Sequence, residues 1–122
     1  MQTLRTLRGR WLALWLQDRR RARAATHLGP TVPNAPANLN GVDWGTYIQL
    51  DWQDMSADET GFHLYRRVDN GAYGLYQTFG ANVTTYQDHS VIIGKQYRYY
   101  VKAYNAVGES AASNEVFLLF GA

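Results

Sequence analysis

Residues 94–116 read GKQYRYYVKAYNAVGESAASNEV. Within them Gln96–Asn105 alternates without a break. Tyr97, Tyr99, Val101 and Ala103 fall on one side, and Arg98, Tyr100, Lys102 and Tyr104 on the other. A period of two, rich in aromatic residues, is the signature of a half-buried strand. The segment NAVGES (Asn105–Ser110) supplies turn-forming residues, and Asn114–Phe120 follows as a further strand.

The same period recurs upstream. Tyr47–Gln53 sets Ile48, Leu50 and Trp52 against Tyr47, Gln49 and Asp51. Phe62 and Leu64 alternate with His63 and Tyr65, and Tyr73–Phe79 and Thr84–Asp88 read as short strands. Asn70-Gly71 predicts a type I′ hairpin turn, because both residues tolerate positive φ. With Ala37–Val42 this makes about seven strands at regular spacing, the pattern of an all-β antiparallel sandwich.

These segments resemble a fibronectin type III domain of the bacterial and phage kind. The residues that carry the resemblance are APANL (Ala35–Leu39), the inward Trp52, DETGFHLYRR (Asp58–Arg67), NVTTYQD (Asn82–Asp88) and Gly94–Val116. Tyr97 stands at the family's tyrosine corner, whose hydroxyl bonds back to the preceding loop. The resemblance implies a seven-stranded immunoglobulin-like sandwich and a module that spaces, adheres or docks. It implies no particular partner.

Length and composition agree with one folded unit. The chain has 122 residues, 46% of them hydrophobic, with three prolines and no cysteine. A packed core is expected, with no disulfide or zinc–cysteine framework to support it. Charge is unevenly placed: residues 1–30 carry seven arginines against Asp18, whereas residues 31–122 carry five basic and nine acidic residues. The sequence therefore divides into a basic, Trp/Leu-rich arm (1–25), a Pro-rich linker (26–36) and the sandwich (37–122).

The chain offers few side chains placed for chemistry. His27, His63 and His89 show no metal-ligand spacing and no nucleophile beside them. Asp51, Asp54, Asp58 and Glu59 cluster in DWQDMSADETG, which lacks the order of a calcium loop. Ser56 followed by Glu59 fits a capped turn instead. Asn82-Val83-Thr84 is a formal glycosylation sequon. No catalytic residue, metal site or cofactor is expected. The outward face is the stronger candidate: Tyr65 and Arg67, beside His63, on one strand, and Arg98, Tyr100, Lys102 and Tyr104 on another. Exposed tyrosine beside arginine is the composition of binding surfaces. A solvated sheet also rewards cross-strand aromatic pairs, so both readings stand.

In the arm, Leu4, Leu7, Trp11 and Leu14 follow helical spacing, with Trp15 beside them and Arg19, Arg20 and Arg21 beyond. The apolar core of the arm is too short for a secretory signal, and arginines stand where a cleavage site belongs. Whether helical or extended, the arm is expected to dock into a larger protein assembly. Packing on its own sandwich, a membrane surface and nucleic acid are the alternatives. The first functional expectation is a non-enzymatic virion component, held in many copies among capsid or tail proteins of a tailed phage. The alternative is an extracellular or cell-surface accessory module of a secreted polysaccharide-degrading enzyme, acting as spacer or as a carbohydrate- or protein-binding unit.

Overall fold

The structure is a computed structural model that describes residues 30–122. The arm residues singled out above (Leu4, Leu7, Trp11, Leu14, Trp15, Arg19, Arg20 and Arg21) lie outside the described residues. Among the described residues seven strands form: β1 (Ala37–Asp43), β2 (Ile48–Gln53), β3 (Gly61–Val68), β4 (Gly74–Gly80), β5 (Thr85–Asp88), β6 (Gln96–Tyr104) and β7 (Val116–Leu119). They make two antiparallel sheets, ordered β1-β2-β5 and β4-β3-β6-β7. This is the expected sandwich.

The alternation explains the core. Ile48, Leu50 and Trp52 from β2 face Phe62 and Leu64 from β3 and Tyr97, Tyr99, Val101 and Ala103 from β6, with Leu39 and Phe120 closing the ends. The Trp52 ring meets Phe62 at 5.9 Å and Phe79 at 5.5 Å between centroids. An aromatic ring of this kind buries about 150–250 Å², worth roughly 4–6 kcal/mol before entropy is counted. Gly61 opens β3 because nothing larger fits: a methyl there would sit 2.0 Å from the Phe79 carbonyl oxygen.

Two local expectations need correction. The β3–β4 connection spans five residues, and its positive φ falls on Asp69 (52°), not on Asn70 or Gly71. Asp69 is fixed there by β6: its backbone N–H donates to the Gln96 carbonyl at 2.7 Å, and its carboxylate accepts the Gln96 N–H at 2.9 Å. The last strand also begins two residues later than expected. Asn114 points its amide at β1 instead, accepting the Leu39 N–H at 2.8 Å and donating to the Leu39 carbonyl at 2.9 Å. A side chain thereby does the pairing of a strand and ties the edges of the two sheets.

Three tyrosines of the interior keep their hydroxyls satisfied. The Ile92 N–H donates to the Tyr97 hydroxyl at 2.7 Å, which realises the tyrosine corner. Tyr99 and Tyr76 both donate to Asp88, at 2.6 and 2.8 Å. Asp88 is wholly buried, and it also accepts the Ser90 N–H at 3.0 Å and Arg66 Nη1 at 3.1 Å. The Arg66 guanidinium lies 3.9 Å over the Tyr76 ring. Burial pushes the Tyr99 hydroxyl's pKa up, and the bond to Asp88 adds to this. Tyr76 is pushed up to about 12, first by burial.

Asp88→Ala leaves two phenols without their acceptor and Arg66 without its counter-charge, bonded only to the Ser90 carbonyl, and is expected to cost about 3–5 kcal/mol. Tyr97→Phe removes one hydrogen bond and is expected to cost about 1 kcal/mol. Urea denaturation of the variants measures both. An Asp88→Ala protein as stable as the parent would show that the carboxylate does not hold the core.

Candidate functional site

Strand pleating brings the expected outward residues together on the four-stranded sheet. Register places Tyr65 opposite Tyr100 and Arg67 opposite Arg98, with His63 opposite Lys102. Tyr65 and Tyr100 stack at 4.9 Å with 18° between planes. His63 stacks on Tyr104 at 4.0 Å and 8°. Tyr73 packs against Tyr100 at 4.6 Å with 55° between planes. The rings therefore stand in pairs, each covering one face of its partner. Hydroxyls, guanidiniums and ring edges are what the surface offers a partner.

Two carboxylates that the strand pattern did not single out organise the face. Glu109 returns to it through an isolated bridge between Tyr104 and Glu109 at the 105–110 turn. Its Oε2 accepts the Tyr65 hydroxyl and lies 2.7 Å from His63 Nδ1, and its Oε1 is 3.7 Å from Lys102 Nζ. Glu115 accepts the Tyr73 hydroxyl and sits 3.4 Å from Arg98. The Tyr65 bond holds the Glu109 carboxyl below its ordinary pKa, against the opposing effect of burial, and His63 adds to the lowering. In return Tyr65 is pushed up to about 12, first by that bond and then by burial. The other missed members are apolar: Leu75, Phe117 and Leu119 are all exposed on the same face.

The remaining candidates are local and structural. His89 lies in a loop, 4.9 Å from the Tyr47 ring. Asp54 accepts the Ser56 N–H at 2.9 Å, and Ser56 Oγ bonds Asp58, not Glu59, so the expected cap closes one residue early. A hydrogen bond shared with Asp54, then burial, raises the Glu59 pKa. Asn82 of the sequon is exposed with φ of 66°. Among the described residues no group of three or more histidine or acidic side chains is placed to hold a metal.

No family model matches the chain. Among curated proteins it is similar to the amylopullulanase of Thermoanaerobacterium thermosulfurigenes, 35% identical over 88 residues, covering 70% of this chain and 5% of that protein. The amylopullulanase of Thermoanaerobacterium saccharolyticum is 31% identical over 83 residues, covering 66% of this chain and 6% of that protein. The chain thus spans about a twentieth of these relatives. Among solved structures, an Fn3-like protein from Clostridium thermocellum matches with a TM-score of 0.60 and 25% identity, over 75% of this chain and 97% of that one. The sixth fibronectin type III domain of human fibronectin type III domain containing protein 3 matches at 0.63 and 18%, over 76% and 90%. A β-1,2-glucanase from Parabacteroides distasonis matches at 0.64 and 26%, over 75% of this chain and 13% of that one. The sandwich has the fibronectin type III fold.

The Glu109 cluster predicts a stability plateau bounded on both sides. A carboxylate with a lowered folded pKa contributes fully above its unfolded value of 4.5, and the contribution is lost as pH falls through the folded value. A phenol raised from 10.0 to about 12 contributes fully below pH 10, and the contribution is lost as pH rises through the folded value. Urea midpoints followed across pH should show both limbs, and Glu109→Gln should flatten the acid limb. An acid limb identical in the two proteins would remove Glu109 from the account.

Proposed function

We propose that this sandwich is a non-catalytic accessory module of the bacterial kind, one that spaces or docks the parts of an extracellular polysaccharide-degrading enzyme. The observation that carries the reading is its similarity to short segments of two amylopullulanases, each segment a small fraction of a much longer protein. The likeness to part of a β-1,2-glucanase supports it from the fold. A virion role, placed first by the sequence, draws no support from these relatives.

The site favours protein over sugar as the bound surface. Sugar rings stack on flat aromatic faces, and here each of Tyr65, Tyr100, His63 and Tyr104 has one face against its stacking partner. The cations and hydroxyls along the edges suit polar contact with a neighbouring domain.

A graft tests the reading. This sandwich replaces the matching 88-residue segment of the T. thermosulfurigenes amylopullulanase. The chimera is expected to hydrolyse pullulan at the parent's rate, whereas removing the segment without replacement lowers activity or heat resistance. The isolated chain is expected to release no sugar from pullulan or starch. A folded chimera that has lost activity, or an isolated chain that hydrolyses either glucan, overturns the proposal.

A further inference from the structure

Arg67 and Arg98 are directly opposite each other on β3 and β6. Paired side chains on adjacent strands start about 4.5–5.5 Å apart, and like charges so placed repel. Arg98 finds partial relief: its guanidinium lies 4.5 Å over the Phe117 ring and 3.4 Å from Glu115. Arg67 makes no ion pair with any described residue, and its Nε is withdrawn from solvent with no hydrogen-bond partner. The other cations of residues 31–122 have acidic neighbours: Arg66 with Asp88, Lys95 with Asp69 and Lys102 with Glu109. In a segment where acidic residues outnumber basic ones nine to five, unneutralised positive charge is thus concentrated at one place.

We propose that Arg67 and Arg98 together seat a carboxylate of an acidic peptide segment, and that the exposed Phe117 and Leu119 beside them receive the apolar residues of the same segment. This deepens the docking role proposed above and rests on it. The chemistry fits the site. A carboxylate has two acceptor oxygens, enough for one guanidinium each, and its charge cancels the repulsion across the β3–β6 pair. Phe117 and Leu119 are 49% and 43% exposed on the edge strand, and both lie on the outward side with Arg98. An extended segment turns every second side chain to one surface, so an acidic residue at i and apolar residues at i+2 and i+4 match that order. The excess of acidic residues elsewhere on the sandwich repels such a segment, which fixes where it lands.

The test uses the full chain and the side-chain Nε–Hε signals of Arg67 and Arg98, assigned with Arg67→Gln and Arg98→Gln. These signals report the site itself, separately from the arginines of residues 1–30. The probes are a short peptide with glutamate and leucine at every second position and serine between them, so that both face the sheet when it is extended, the same peptide with glutamine for glutamate, and oligogalacturonate as an acidic glycan. The glutamate peptide is expected to shift both arginine signals along one saturable curve, and the glutamine peptide to shift neither. Arg98→Gln should weaken the curve read at Arg67 by about tenfold. Unmoved arginine signals, equal response to the glutamine peptide, or stronger response to oligogalacturonate overturns the proposal. An unaltered curve at Arg67 in Arg98→Gln also does so. The graft separates the two readings. Silent arginines in a chain whose chimera works count against this site alone, and a dead chimera counts against the module role.

Discussion

A buried carboxylate governs how this sandwich closes. Asp88 ends β5 in one sheet, yet its partners Arg66, Tyr76 and Tyr99 come from three strands of the other. An unpaired charge in a core is prohibitive, so each sheet can take only the position that delivers these donors. Hydrophobic contacts tolerate sliding, because one apolar neighbour serves nearly as well as another. Hydrogen bonds to a single carboxylate do not tolerate it. The apolar alternation therefore decides which faces meet, and Asp88 decides how they are aligned.

The outer face repeats this logic with less burial. Glu109 gathers His63, Tyr65 and Lys102 from β3 and β6, and Glu115 gathers Tyr73 and Arg98. These acids hold the tyrosines upright in stacks and leave polar edges outward. Such a face is already organised before any partner arrives, so little side-chain freedom remains to be lost on binding.

The sequence makes the strands legible because their signal is local. Alternation in β2, β3 and β6 needs only neighbouring residues, and the outward set from Tyr65 to Tyr104 follows from the same count. What it conceals depends on distant pairs. Asp88 looks like any aspartate at the end of a strand until β6 is laid against it. Glu109 looks like part of a turn, 46 residues from the histidine it meets. The Asn70-Gly71 signal marks a turn that does form, closed by the Gly71 N–H on the Val68 carbonyl, but its positive φ moves to Asp69, which a tertiary contact with Gln96 holds. The shortened last strand has a similar cause in Asn114. The arm, read from the sequence as a docking element, lies outside the described residues.

The positions of the chain's entry and exit bear on mechanics. The Thr31 carbonyl accepts a hydrogen bond from Asn105, at the end of β6, while Phe120 exchanges hydrogen bonds with Gly94 and Lys95, just before its start. The polypeptide therefore enters the sandwich at one pole and leaves at the other, separated by the nine residues of β6, about 30 Å. β1 and β7 both run from the first pole toward the second. Tension applied through the two ends would pull along these strands, loading the β1–β2 and β6–β7 ladders together in shear instead of opening them bond by bond. Load applied in this way would run along the length of the sandwich, across about 30 Å of paired strand.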